Sequence, residues 1–422
     1  MKKQATILYV DNSSTFGGAI NALSDLLRGI DRSRVSPVVL SAQSEDFLTS
    51  AFPGIRSIHW PVRLMWVHDP INRVVERLPG MGSGPLRAIW GKLRALWWLT
   101  FQDGVQALRI MRLIQREHVD AVHLNNGVEG MIGPLAAARL RRLPVIAHAR
   151  GPQSVTGMAR TYASLPDHWI AVSRSIADNL EEAGVPPRCI TVVHDAIDLT
   201  VFFEKPSAAG TRTALGIPEN AKLFGVFARI IPWKGIREFV LAARQVLDSV
   251  EDAFALVVGD PSDGSEGYYR EVVELSRSLG IENRIVFAGF RTDVADLMRA
   301  CDVVVHSSIE PEPFGLTVIE GMATGRPVVA ASSGGPVEII EDGVTGVLVD
   351  PSDATALSAA VTRLLENPAY AEEIGSRAAQ RARAYYSTER YASDVMKVYE
   401  KVFSAGARTP LGSHVPDPVA SR

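Results

Sequence analysis

Two glutamates and a glycine raise the first question of chemistry. Glu312 and Glu320 lie in the stretch VVVHSSIEPEPFGLTVIEGMATGRPVVAASSGG, residues 303–335, with Gly315 between them. An apolar run ends near His306, a polar loop follows, and a helical pattern begins near Leu316. Glycine lets the backbone turn sharply and approach a ligand closely. The N–H groups of Gly315, Leu316 and Thr317 then point out of a helix start, an anion site suited to a diphosphate. A carboxylate inside that helix can accept hydrogen bonds from two ribose hydroxyls. The loop carboxylate sits nearer the phosphate end, where it can meet a sugar. Two acids alone would read as surface charges. The order of loop, glycine, helix start and second acid is one that a nucleotide sugar would use.

Three further segments carry candidates. In FARIIPWKG, residues 227–235, a strand delivers Arg229 at its C-terminal end and Lys234 follows before the next helix. Open α/β sheets bind ligands at that end of their strands. Two cations there can stabilise the charge that grows on a departing diphosphate. A planar guanidinium fork and an ammonium point charge do this differently. In DNSSTFGGAI, residues 11–20, Gly17 and Gly18 open a helix after the first strand and offer backbone N–H groups to donor phosphates or to an acceptor. This is not the G-x-G-x-x-G fingerprint of dinucleotide-binding proteins. In PVIAHARG, residues 144–151, His148 ends a buried strand, where it can hydrogen-bond a sugar hydroxyl; Arg150 is a weaker candidate. His123 and Asn125, at the end of the preceding strand, are candidates for an acceptor pocket, with a structural role as the alternative.

Other signals are missing. No two aspartates stand two apart, so an Asp-x-Asp metal clamp is absent. His306, Glu310 and Glu312 match no zinc or calcium spacing, so no metal site is expected. There is no P-loop and no Gly-x-Ser-x-Gly elbow.

The elements that must hold these residues alternate along the chain. Strands are expected at Thr6–Asp11, Pro37–Ala42, Ala121–Asn126, Val145–Arg150, Trp169–Ser173 and Ile190–His194. Helices are expected at Ala19–Gly29, Val105–His118, Ile132–Arg142 and Ser175–Ala183. The second half repeats the scheme, with strands at Leu223–Arg229, Phe254–Gly259, Arg284–Ala288, Val303–His306, Val328–Ala331 and Gly346–Val349. Most are continuous Val/Ile/Leu/Ala runs, which means both faces are covered, as in a parallel sheet between helices. The expected architecture is therefore α/β, with two doubly wound Rossmann-like domains facing a central cleft. The expected bounds are 1–203 for the first domain and 211–385 for the second. A linker is expected over Glu204–Gly210, a helix over Thr388–Phe403 within 386–404, and a disordered tail over 405–422.

Composition sets outer limits. The 422 residues are 46% hydrophobic and 22% charged, with a net charge of −3. That is an ordinary globular balance and gives no reason to expect nucleic-acid binding. Cys189 and Cys301 fall in strand-like apolar runs and read as buried free thiols. The opening Met-Lys-Lys-Gln and short strand do not form a signal peptide, and no run of 18 apolar residues occurs, so a cytoplasmic protein is expected. The stretch 61–100 differs, with four of the seven tryptophans and six Arg/Lys against two acids. Leu86, Trp90, Leu93 and Trp97 fall on one helical face. That face is expected either to lie in a membrane interface, with the protein peripheral on the inner face of the cell membrane, or to pack on a core.

Glu312-x7-Glu320 within EPFGLTVIEGMATGRPVVA resembles the retaining glycosyltransferases of family 4, which have the GT-B fold. FARIIPWKG resembles that family's Gly-Arg…Lys-Gly segment, with Ala228 where Gly is more usual. FGGA resembles its N-terminal Gly-Gly loop and AHARG its histidine strand. VVHDAIDLTVF resembles the segment entering the linker, but His194-Asp195-Ala196 departs from the usual Asn-Gly. The resemblance covers about Thr6 to Phe403. It implies Arg229 and Lys234 on the diphosphate, Glu320 on the ribose, Glu312 near the donor sugar and His148 beside the reacting sugar. Donor contacts are also expected from Gly17, Gly18, Phe314, Gly315, Leu316 and Thr317. The helix at Thr388–Phe403 would pack on the N-terminal domain. The implied reaction is retaining, metal-independent hexosyl transfer to a saccharide or lipid-linked acceptor in cell-surface polysaccharide or glycolipid synthesis, with no cofactor beyond the nucleotide sugar. The alternatives are a sugar-nucleotide epimerase of the same fold, a non-catalytic nucleotide-sugar-binding module, and a glycogen-phosphorylase-like enzyme, which would need a much longer chain.

Overall fold

The computed structural model describes residues 4–13, 17–60, 104–155, 157–203 and 210–405. The Trp-rich stretch 61–100, all but the last residue of the expected linker Glu204–Gly210 and all but the first residue of the expected tail 405–422 lie outside them, and so do the expectations placed there. Two compact units divide the chain. One comprises 1–172, 176–193 and 392–422; the other comprises 173–175 and 194–391.

The first unit holds β1 (Ala5–Asp11), α1 (Gly18–Gly29), β2 (Val35–Ser41), α2 (Glu45–Ala51), β3 (Arg56–His59), α3 (Gly104–Arg116), β4 (Ala121–Leu124), α4 (Ile132–Leu140), β5 (Val145–Ala149), α5 (Gly157–Ala163), β6 (His168–Ala171), α6 (Arg174–Glu182, whose first turn falls in the second unit) and β7 (Ile190–Val192). Its seven strands run in the order β3-β2-β1-β4-β5-β6-β7, every pair parallel. The second unit holds α7 (Leu199–Phe203), α8 (Thr211–Ala214), β8 (Lys222–Phe227), α9 (Ile236–Ser249), β9 (Ala253–Val258), α10 (Glu266–Ser278), β10 (Ile285–Phe287), α11 (Val294–Ala300), β11 (Val303–His306), α12 (Leu316–Ala323), β12 (Val328–Ala331), α13 (Pro336–Ile339), β13 (Val347–Val349), α14 (Ala354–Glu366) and α15 (Pro368–Tyr385). Its six strands run β10-β9-β8-β11-β12-β13, again all parallel.

Both sheets are doubly wound. Strand order reverses between β1 and β4 in one and between β8 and β11 in the other. At such a switch point neighbouring connections leave in opposite directions, and a ligand crevice opens beyond the strand ends. The central strands are buried along nearly their whole length, as their continuous apolar runs require: Val303, Val304 and Val305 are each 0% exposed, as are Leu223, Val257 and Val329. Phe224 and Phe239 pack their rings 5.6 Å apart in the second core. Burial of each such ring contributes about 1.5–3 kcal/mol.

Several expectations need correction. The edge strand β3 and the short helix α2 escaped the reading of periodicity, because β3 has only one exposed and three half-buried residues and no apolar run. Neither cysteine lies in a strand: Cys189 ends a 3-10 turn and is only half-buried, while Cys301, fully buried, precedes β11. The first unit gives up its expected residues 194–203 to the second. There α7 packs on α12, and Arg299 donates to the carbonyls of Val201 (3.3 Å) and Phe202 (3.0 Å).

The final helix, α16 (Thr388–Ser404), places Tyr391, Val395, Val398 and Tyr399 in the core, at 2%, 0%, 2% and 0% exposure. From Ala392 it belongs to the first unit. There the Tyr399 hydroxyl lies 2.8 Å from His123 Nδ1 and donates to the Tyr9 hydroxyl at 3.1 Å. Among the described residues no helix is long and apolar enough to cross a membrane.

Candidate active site

The switch point of the second sheet gathers most of the residues singled out in sequence. Arg229 stands two residues beyond β8 and is exposed. A 3-10 turn, Pro232–Lys234, then carries Lys234, whose Nζ lies 4.1 Å above the Trp233 ring. Beyond β11 comes the loop with Glu312. The two loops are clasped, because Ser307 Oγ donates to the Lys234 carbonyl at 2.9 Å. Lys234 Nζ donates to Glu312 Oε2 across 78 residues of sequence, and both side chains are 14% exposed. His306 Nε2 lies 3.3 Å from the same Oε2, and Ser308 Oγ donates to it at 3.2 Å. Burial alone would raise the Glu312 carboxyl. The hydrogen bond from His306 and the Lys234 charge outweigh that and bring it down to about 2. Glu312 is thus a fixed carboxylate at any ordinary pH, not an acid–base group.

The backbone of this loop rests on the Ser-Ser-Gly-Gly turn after β12. Gly335 N donates to the Glu312 carbonyl at 2.8 Å. A Cβ on Gly335 would stand 2.0 Å from the Phe314 carbonyl oxygen, so only glycine admits the approach. Gly315, at φ +116°, then turns the chain into α12. No backbone carbonyl among the described residues receives the N–H groups of Gly315, Leu316 or Thr317, so they remain for an anion. Glu320 lies half-buried in α12.

Phe314 needs correction as a donor contact. Its ring is 4% exposed, stacked 5.4 Å from His194 and edge-on to Tyr386, so the ring is committed to packing. The departing segment at His194 has a structural use here. His194 Nε2 is 3.0 Å from Glu338 Oε2, and the Arg174 N–H donates to Glu338 Oε1 at 2.7 Å.

In the first unit the candidates cluster at the other switch point, but as interior groups. Asp11, 1% exposed, accepts from Asn125 Nδ2 at 2.9 Å, from Asn126 Nδ2 at 3.3 Å and from Ser13 N at 3.1 Å. Burial raises its carboxyl above the usual range against those bonds. Asn125 also accepts from Arg150 Nε at 3.0 Å, and Arg150 Nη2 is 3.5 Å from His148 Nδ1. His123 and Asn125, expected to line an acceptor pocket, are both 0% exposed and bonded to the interior, so they scaffold the strand ends instead. His148 is 0% exposed as well. Burial, with Arg150 next, lowers His123 to about 3 and holds His148 well below the ordinary histidine value, so both rings are neutral. Gly17 caps α1 in an extended conformation, and Gly18 at the helix start is exposed. Among the described residues no group of three His, Cys, Asp or Glu could hold a metal ion.

Sequence reasoning missed His306, Ser308, Asp11 and Asn126. His306 had one usable signal, its position at the C-terminal end of a buried strand, but no metal-ligand spacing to promote it.

Comparison with known proteins decides the family. The model for glycosyl transferases group 1 matches residues 210–381, and that for glycosyltransferase family 4 matches residues 16–201. D-inositol 3-phosphate glycosyltransferase of Mycobacterium marinum is 32% identical over 328 residues, covering 72% of this chain and 68% of its own. The chain is a family 4 glycosyltransferase of the GT-B fold. N-acetyl-alpha-D-glucosaminyl L-malate synthase of Bacillus anthracis is 27% identical over 310 residues, covering 71% of this glycosyltransferase and 79% of its own length. Among solved structures, Anabaena HepE in complex with UDP-glucose matches with a TM-score of 0.75 at 25% identity, over 94% of this chain and 99% of that one. A glycosyltransferase from Rickettsia africae matches in fold, with a TM-score of 0.77 at 21% identity over 95% and 99%.

Proposed function

We propose that this glycosyltransferase moves a hexose-type sugar from a nucleotide diphosphate donor to an acceptor hydroxyl, with retention at the anomeric carbon and without a metal. One observation supports it above the rest: the β8–β11 switch point joins a carboxylate and a lysine cation beside an open helix start, with Arg229 exposed just beyond β8. Glu320 is assigned to the ribose hydroxyls and Glu312 to the donor sugar. The bond from the anomeric carbon to the diphosphate oxygen breaks, and its electron pair leaves with the nucleoside diphosphate. Arg229, the free N–H bonds of Lys234 and the start of α12 receive that charge. The acceptor oxygen bonds to the oxocarbenium carbon on the face just vacated, and its proton passes to the departing phosphate oxygen. His148, being neutral, can accept or donate a hydrogen bond but adds no charge to the leaving group.

UDP-sugars head the donor panel, because HepE was solved with UDP-glucose. The acceptor is read as a hydroxyl-bearing molecule. Two relatives are named for inositol 3-phosphate and malate, both small hydroxylated anions, so these lead the acceptor panel, ahead of saccharides and lipid-linked sugars. The test is turnover of UDP-, GDP- and ADP-sugars with and without acceptor, with EDTA, and with Glu320→Ala as control. Product NMR should show the donor's anomeric configuration kept. An inverted product, a requirement for divalent metal, or conversion of the donor to a second nucleotide sugar with no acceptor present would each overturn part of the proposal, the last in favour of an epimerase.

A further inference from the structure

Glu312 Oε2 is crowded. Lys234 Nζ, His306 Nε2 and Ser308 Oγ all converge on that one oxygen, while Oε1 accepts no hydrogen bond among the described residues. We propose that His306 is a positioning residue, holding Glu312 by one carboxylate oxygen so that the other is presented to the donor sugar. The inference rests on the reading of Glu312 as a donor-sugar contact.

His306 is the last residue of β11 and 6% exposed, so rigid sheet structure sets its place. To donate to Oε2 it must carry its proton on Nε2. Its Nδ1 is buried with no hydrogen-bond partner among the described residues. Ser308 Oγ, 3.3 Å from His306 Nε2, donates to the same carboxylate oxygen and restricts the ring further. The charged groups around His306 are Glu312 and Lys234 on the loop side, with Glu238 of α9 and Asp350 and Asp353 after β13 lining the small cavity behind it. Lysine alone would hold Glu312 through a flexible stem with three rotatable donors. The imidazole adds a fixed direction. It also supplies the strongest of the effects that keep the carboxyl ionised, ahead of the lysine.

A role confined to packing would be served by any flat ring of this size, and that separates the two. His306→Phe keeps the ring and removes the donor; His306→Gln returns an N–H in a different frame. Both are to be assayed with whichever of UDP-, GDP- or ADP-glucose the wild type turns over. The expected result for His306→Phe is a fall in kcat of tenfold or more, with donor KM changed less than threefold. An acid limb in kcat should also appear between about pH 4 and 6, because burial then raises a Glu312 no longer held by the histidine. The wild type should lack that limb, and His306→Gln should recover part of kcat and move the limb back down. Wild-type kcat with no new limb in His306→Phe would overturn the proposal. So would parallel losses in kcat and KM in both variants with no movement of the limb. Glu312→Gln separates this from the parent reading: full activity there would sink the sugar-contact role itself, whereas an inactive Glu312→Gln beside an unaffected His306→Phe would sink only the inference about His306.

Discussion

Replacing Glu312 with glutamine should change how stability depends on pH, by an amount set by the surroundings of the carboxyl. In the fold Glu312 ionises at about 2 against an ordinary 4.5, because His306 and Lys234 outweigh the opposing effect of burial. A depressed carboxyl adds stability that is complete above the unfolded value and is lost as pH falls toward the folded one. The shift of roughly 2.5 units corresponds to about 3.4 kcal/mol at neutral pH, an order-of-magnitude figure. Two-state linkage with these values puts about 2 kcal/mol of that loss between pH 7 and pH 3. Glutamine has no such dependence, and titrating groups that do not touch Glu312 cancel when wild type and Glu312→Gln are compared. Denaturant unfolding of both proteins from pH 7 to pH 3 measures the difference, read on the transition of the second unit. The gap between them should narrow by about 2 kcal/mol, nearly all of it below pH 5. A gap that stays constant across that range would show that Glu312 is not held as the Lys234, His306 and Ser308 contacts require.

Three other perturbations have definite outcomes. Arg229→Ala should lower kcat about 10²–10³-fold, as loss of one donor to a developing charge does, while the unfolding free energy changes by no more than about 0.5 kcal/mol because the side chain is exposed. Tyr399→Phe removes the hydroxyl shared by His123 and Tyr9 and leaves the buried His123 ring without a hydrogen-bond partner among the described residues. Chemical denaturation should show the first unit destabilised by about 1–3 kcal/mol. Gly335→Ala places a methyl 2.0 Å from the Phe314 carbonyl and must push the Glu312 loop outward. Thermal unfolding and turnover should both suffer, with a stability loss of about 1–3 kcal/mol.

The sequence by itself determined the two parallel sheets, because a strand covered on both faces must be apolar at every position, and Val303–Val305 or Leu223–Val226 satisfy that without reference to any partner. It also determined the loop, Gly315 and helix start after β11, since a sharp turn into α12 demands glycine locally. Family resemblance carried the same residues to a glycosyltransferase, and the comparisons agree. What tertiary structure decided was burial and partnership. His123 and Asn125 looked like pocket residues from their places at a strand end, yet the C-terminal helix and Asp11 enclose them through Tyr399 and the Asp11–Asn125 bond. The Phe314 ring stood in the most telling motif and turned out to be stacked on His194. Lys234 and Glu312 were each singled out, but nothing in a one-dimensional pattern joins two residues 78 positions apart or adds His306 between them. Periodicity and turn chemistry are local and can be read along the chain. Enclosure, and the choice of partner for a charge, depend on everything that packs around a site, and only the folded chain brings those groups together.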